Sequence, residues 1–162
     1  FTTEYYEARP SKKGGLGALA TKHIPEGTTI LKEEPLVLCN LTDIYYEYER
    51  LSTEDRKKYR SLHGWRGINS ECIMSIFQTN RFSIGSKSGI FYKISRFNHA
   101  CHPASTCTYK WSDEEKKLAV TTLRDIQPGE EITISYGPAA SLYDKYGFYC
   151  DCEFCPNPEQ AF

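Results

Sequence analysis

Arg96-Phe97-Asn98-His99-Ala100-Cys101-His102-Pro103 and, further along, Cys150-Asp151-Cys152-Glu153-Phe154-Cys155 are the two stretches that decide the fold of this chain. The second is a C-x-C-x-x-C run, a zinc half-site that lacks one ligand. Zinc takes four soft ligands in a tetrahedron, and three thiolates from one short loop leave a corner open. Cys101 closes that corner if the fold brings it round. Closure would pin the tail against Asn98-His99, which makes this the place to look for an active site. Buried free thiols are the alternative for Cys150, Cys152 and Cys155, and their tight spacing argues against it.

The other cysteines point the same way. There are 7 in all, with Cys39, Cys72 and Cys107 scattered through the chain. An odd count with three crowded together is a poor disulfide framework and suits metal ligation in a reducing compartment. The Asn40-Leu41-Thr42 sequon is idle in such a compartment.

Working outward, the 162 residues suit one domain with its own core. Hydrophobic residues make up 40% and charged residues 25%, the composition of a folded soluble protein. The net charge of -1 offers no basic stripe for nucleic acid. The pairs Lys12-Lys13, Lys57-Lys58 and Lys116-Lys117 read as solvated loops or helix faces. No apolar run is long enough to span a membrane. The sequence opens on Phe1 with no methionine or signal-peptide pattern, as expected of a domain excised from a longer chain or trimmed.

Local patterns give a β-rich outline with a helical insert. The first 38 residues read as two strands around the Ile24-Pro25-Glu26-Gly27 turn, with Thr28 to Leu31 extended by Leu36 to Cys39. Ser52-Thr53-Glu54-Asp55 resembles a capping box that opens a helix running towards His63. Gly64 and Gly67 break the chain. Ser70 is placed to cap a second helix with Cys72, Ile73, Ile76 and Phe77 on one face. Ile90-Phe91-Tyr92 is strand-like. Thr106–Trp111 and Leu118–Leu123 alternate and are joined as a hairpin by Ser112 to Glu115. Pro128-Gly129-Glu130-Glu131 is a turn before the strand Ile132 to Tyr136. A short helix from Ser141 to Tyr146 ends at Gly147, a natural left-handed stop.

Two enzyme readings fit badly. Gly15-Leu16-Gly17-Ala18-Leu19-Ala20 matches a dinucleotide-binding pattern, but no buried strand precedes it and Pro25 leaves no room for the helix. A glycine turn between strands, or a loop whose backbone approaches a small ligand, suits it better. His99, Cys101 and His102 suggest a Cys-His nucleophile, but nothing supplies an orienting third group or an oxyanion hole.

Taken in order, the glycine turn, the Asn98-His99-x-Cys101 box with Pro103, Gly129-Glu130-Glu131-Ile132-Thr133-Ile134-Ser135-Tyr136 and the closing cysteine run resemble the SET-domain protein lysine methyltransferases. Thr79-Asn80-Arg81-Phe82-Ser83-Ile84 and Tyr146-Gly147-Phe148-x-Cys150-x-Cys152 look like the SET-and-MYND branch and its small fungal relatives. The MYND zinc finger and the long C-terminal helical domain are absent from this sequence. The resemblance implies a mostly β SET-domain fold over residues 1–149, with a pseudoknot and a helical insert at 41–82, and a zinc-bound post-SET tail over 150–162.

It also implies a chemistry. The family transfers a methyl group from S-adenosylmethionine to a lysine side chain. Tyr136 matches the catalytic tyrosine beside the transferred methyl and is also expected among the cofactor contacts. Lys13, Gly15, Leu16 and Gly17 match the cofactor loop, and Asn80, Asn98, His99 and Phe148 match further cofactor contacts, with Phe148 packing on adenine. Asn98 and His99 also match the buried pseudoknot crossing. Cys101, Cys150, Cys152 and Cys155 match the Zn2+ ligands. The implied partner is a protein presenting a lysine, histone or not, with no nucleic acid and no membrane. The implied state is a monomer in the nucleus or cytoplasm. Two departures stand out: Ala100 replaces the usual serine of the box, and Ala104 replaces its final asparagine. An interaction module that has lost turnover, and a purely structural zinc domain, are the competing readings.

Overall fold

Gly14 and Gly15 take φ of +93° and +61°, open only to residues without a Cβ penalty. They let β1 (Tyr6–Pro10) fold back on β2 (Leu16–Ala20) as an antiparallel hairpin. The free edge of β2 pairs with β10 (Glu131–Ile134), and β10 pairs in parallel with the short β7 (Asn98–His99). The computed structural model describes residues 3–155. The tail expected over 150–162 is therefore described only to Cys155, and the remainder lies outside the described residues.

Two further sheets complete the β framework. One has the order β3 (Thr29–Glu33), β9 (Lys117–Thr122), β8 (Cys107–Ser112). The other has the order β4 (Val37–Cys39), β6 (Lys87–Ile90), β5 (Phe82–Ile84). The expected 106–123 hairpin is present as β8–β9. Residues up to 39 differ from expectation. They form four strands, and β4 does not extend β3, because β3 pairs with β9 while β4 pairs with β6. Pro35 lies between them and lacks the N–H that a continuous strand needs. Phe91 and Tyr92 lie beyond the end of β6.

The insert holds three helices: α1 (Ile44–Arg50), α2 (Thr53–Arg60) and α3 (Cys72–Asn80). The capping reading holds for α2, where Ser52 Oγ accepts from the Asp55 N–H at 3.1 Å. It fails for α3. Glu71, and not Ser70, caps that helix, its carboxylate accepting from the Met74 N–H at 2.7 Å. Asn69 Oδ1 accepts the Glu71 N–H at 2.9 Å, which sets the entry one residue later. α4 (Leu142–Tyr146) ends at Gly147 with φ +80°, as its sequence predicts.

The apolar residues gather in unequal cores. The main one, with Tyr6, Ile24, Phe91, Phe97, Val120 and Ile132, lies between the sheets. A second joins the insert to β4 and β6 through Val37, Ile44, Tyr59, Phe77 and Ile90. The third, around Ala100, Leu142, Cys150 and Cys152, holds the tail. A cluster that small gives little hydrophobic stabilisation, so the tail needs another tie.

Candidate active site

β10 and β7 run side by side, and their ends deliver the functional side chains. Thr133 pairs with Asn98 and Ile134 with His99, and the Ala100 N–H continues the ladder to the Ile134 carbonyl at 3.1 Å. His99 is buried, and its Nδ1 accepts the Tyr136 N–H at 2.8 Å. Burial, then the charge of Lys13, pushes the imidazole down to about 4, so the ring is neutral. With Nδ1 accepting, the ring proton sits on Nε2, which faces Cys101 Sγ at 3.3 Å. One histidine thus positions both Tyr136 and a cysteine.

The Tyr136 hydroxyl donates to the Phe97 carbonyl. Burial, reinforced by Tyr146, pushes the phenol well above its ordinary range, so it stays protonated. Its ring lies 4.8 Å from Tyr146 and 6.2 Å from Phe148, centroid to centroid. A cavity of about 390 Å³ opens against these rings, lined also by Asn80, Asn98, Phe82 and Tyr109. A neighbouring cavity of about 630 Å³ is lined by Leu16, Gly17, Ala18 and Phe97, and the two share His63 and Ser95. A third of about 350 Å³ reaches Tyr136 from the side of Thr108 and Gly137. Volumes of the first two are in the range of small-ligand sites.

Asn98 is held by the Leu16 backbone and by Glu131, a side chain given no role of its own from the sequence. Its Nδ2 donates to the Leu16 carbonyl at 3.1 Å and to Glu131 Oε1 at 2.6 Å. Glu131 Oε2 accepts from Ser11 Oγ at 2.8 Å. The carboxylate crosses directly over Gly17, where a Cβ would stand 2.2 Å from Oε1. A Cβ at Gly17 would displace the Glu131 carboxylate, and the signal in the sequence was the glycine pattern running into β2. Glu131 was visible only as part of a turn, because nothing local says that its side chain crosses to another strand.

Other expected residues are placed differently. Asn80 spends both amide hydrogens inside the chain, on the His63 carbonyl at 2.5 Å and the Ile76 carbonyl at 2.9 Å, so its Oδ1 is the atom left for a ligand. Lys13 Nζ pairs with Asp151 at 2.5 Å, tying the β1–β2 turn to the tail. Lys13, Gly15 and His99 line neither of the two larger cavities, whereas Leu16, Gly17, Asn80, Asn98, Tyr136 and Phe148 do. Trp65, unremarked in the sequence, packs on the turn before Phe148. Its ring atoms lie 2.5–2.8 Å from where a Gly147 Cβ would be, and its centroid is 6.0 Å from that of Tyr143. The Trp65 backbone N–H donates to Thr79 Oγ1 at 2.9 Å.

The sulfur atoms of Cys101, Cys150, Cys152 and Cys155 all lie within 4.8 Å of one another. A tetrahedron with Zn–S bonds of about 2.3 Å needs sulfurs about 3.8 Å apart, so the set fits zinc. Burial, then contact with Cys150 and Cys155, pushes the Cys101 thiol far up. Four such sulfurs become thiolates together only around a cation. Cys39, Cys72 and Cys107 stand outside the cluster. Ala104 packs against this group, in the small core of the tail.

Comparison with known proteins identifies the family and the fold. The family profile described as SET domain matches residues 15–137. The histone-lysine N-methyltransferase set5 of Schizosaccharomyces pombe is 29% identical over 99% of this chain and 53% of its own length. The N-lysine methyltransferase SMYD2-B of Danio rerio is 39% identical over 41% of this chain and 16% of its own. The chain thus spans about half of the first relative and a small part of the second. In fold, a Plasmodium falciparum protein described as a candidate histone methyltransferase aligns with a TM-score of 0.51 at 17% identity, covering 84% of this chain and 96% of that one.

Proposed function

The chain belongs to the SET domain family, and from that premise we propose that it is a protein lysine N-methyltransferase using S-adenosylmethionine. The observation that carries the proposal is the position of Tyr136. Its ring lines one cavity together with Asn80, Asn98 and Phe148 and with the rings of Phe82, Tyr109 and Tyr146, which would form an aromatic passage for the substrate. The two larger cavities would hold the cofactor, with Leu16, Gly17, Asn98 and Phe148 as its contacts. When bound, the cofactor supplies an electrophilic methyl group on a cationic sulfur.

What the chain's own residues do follows from their placement. Orientation is the main device, since direct displacement needs donor and acceptor in line. The passage must also receive the lysine as a neutral amine. Free lysine titrates near 10.4, so deprotonation at pH 7 costs on the order of 4–5 kcal/mol. Aromatic rings beside the amine, with a cationic sulfonium near by, would lower that cost by disfavouring the ammonium form. The Tyr136 phenol, kept protonated and donating to the Phe97 carbonyl, presents its oxygen as an acceptor beside the reacting centre. The Cys101–Cys155 cluster would hold zinc and fix the tail, so that Phe148 closes the cavity; the His99 Nε2–H beside Cys101 supports that ligand, as partners of metal ligands commonly do.

Calorimetric titration with S-adenosylmethionine, followed by measurement of S-adenosylhomocysteine release with mixed histones and cell extract, tests the reading. Binding with release supports the enzyme. Binding without release on any protein supports an interaction module, and no binding leaves a structural zinc domain.

A further inference from the structure

We propose that Arg81 and Lys145 form a carboxylate-binding subsite at the aromatic passage, and that its ligand is an acidic side chain flanking the target lysine. The inference rests on the methyltransferase reading and deepens it by naming a substrate class. Arg81 ends α3, its N–H bonded to the Phe77 carbonyl at 3.1 Å, and Lys145 lies in α4. The two helices bring both cations to the lining of the cavity that holds Tyr136 and Phe148. No acidic residue lines that cavity.

Among the described residues, neither cation has a carboxylate partner. Among the described residues, no ion pair or side-chain hydrogen bond involves Arg81 or Lys145, whereas Lys13, Lys32, Arg56 and Arg124 each have a carboxylate. Lys145 is half-buried, with Nζ 5.1 Å from the Tyr146 ring centroid. Burial, then the charge of Arg81, holds its amine below the ordinary range. Two like charges in a partly enclosed, ring-walled space form an unfavourable arrangement that an anion relieves. A carboxylate suits both partners: the guanidinium offers a planar fork and the ammonium a point charge.

The same charges act against other substrates. A lysine set among further lysines and arginines brings more positive charge to a mouth that already carries two cations, and like-charge juxtaposition selects against it. An acidic neighbour gains where a basic one loses. Partly exposed charge pairs are individually weak, and two together give a preference of about tenfold. The rival source of the same chemistry is the carboxylate of the cofactor's amino-acid end, and the test separates the two.

The probe is a synthetic peptide library with one central lysine and flanks randomised among Ala, Ser, Glu, Gln and Arg, incubated with trideuteromethyl S-adenosylmethionine. Mass spectrometry of methylated peptides should show Glu over Gln by about tenfold at one or more flanking positions, and Arg depleted there. In the Arg81→Gln/Lys145→Gln double variant the Glu-to-Gln ratio should fall to near one, with S-adenosylmethionine affinity kept within about threefold and zinc content and circular dichroism retained. Arg81→Lys, which keeps the charge, should retain part of the preference and covers the case of a misfolded double variant. A second arm measures anisotropy of fluorescent Glu-flanked and Gln-flanked library pools with S-adenosylhomocysteine present, so the comparison does not depend on turnover. Equal methylation or equal binding of the two pools overturns the subsite. Loss of cofactor affinity with an unchanged Glu preference also overturns it, by assigning the two cations to the cofactor. Absence of label in library and extract alike, with Glu-selective binding intact, counts against the methyltransferase reading and leaves the subsite standing.

Discussion

Gly17→Ala should destabilise the protein through Glu131, and the size of the effect can be worked from the structure. The new Cβ would stand 2.2 Å from Glu131 Oε1 and 2.9 Å from its Cδ, so the carboxylate must leave. Its departure breaks the bonds to Asn98 at 2.6 Å and to Ser11 at 2.8 Å. Charge-assisted bonds of this kind are worth roughly 1.5–3 kcal/mol each, and partial exposure puts them at the lower end, about 3 kcal/mol together. Alanine in place of a strand glycine recovers roughly 0.5–1 kcal/mol of chain entropy. The net cost is therefore about 2 kcal/mol. Glu131→Ala alone should cost about 3 kcal/mol, since the same bonds are lost. In that background Gly17→Ala should be close to neutral, because the obstruction has gone and only Ser11 Cβ, at 3.0 Å, remains tight. The assay is urea unfolding of wild type, both single variants and the double variant, analysed as a cycle. Additive costs would refute the reasoning, since they would mean that Gly17 and Glu131 act independently.

Three further outcomes follow from the site. Tyr136→Phe should leave cofactor affinity within about threefold and cut methyl transfer by about 100-fold, read as a kcat loss in single-turnover assays; a wild-type rate would remove Tyr136 from the chemistry. Cys101→Ser should lose zinc or bind it much more weakly, and stepwise chelation of the wild type should abolish S-adenosylmethionine binding before far-UV circular dichroism changes; full affinity after complete metal removal would show that the tail does not close the cavity. Trp65→Ala removes the ring packed on Gly147 and should loosen the tail by about 2 kcal/mol, seen as faster amide exchange over 142–155 with zinc retained. Unchanged exchange there would show that the insert does not support the tail.

How much was legible follows the distance over which each signal acts. The cysteine run, the Asn98-His99 box and the strand expected to reach Tyr136, which ends at Ile134, are local strings, and their order along the chain was enough to place the fold. Helix stops were legible for the same reason: Gly147 takes the left-handed conformation that its position after α4 implies. The separation of β3 from β4 was not, because it depends on which partner each strand finds, β9 or β6, and not on either strand's own pattern. The cap of α3 shifted by one residue because Asn69 competes for the Glu71 N–H. Glu131 over Gly17, Asp151 on Lys13 and Trp65 on Gly147 were all missed for one reason. Each joins segments far apart in sequence, and a single side chain carries no mark of a partner that only folding brings near.

The central claim is that this domain moves a methyl group to a protein lysine with Tyr136 at the reacting centre. The most direct measurement is mass spectrometry of cell-extract proteins after incubation with the purified chain and trideuteromethyl S-adenosylmethionine. The account predicts trideuteromethyl-lysine on one or a few proteins with wild type, and its loss with Tyr136→Phe. No labelled lysine with a zinc-loaded, cofactor-binding wild-type protein, or undiminished labelling by Tyr136→Phe, would contradict it.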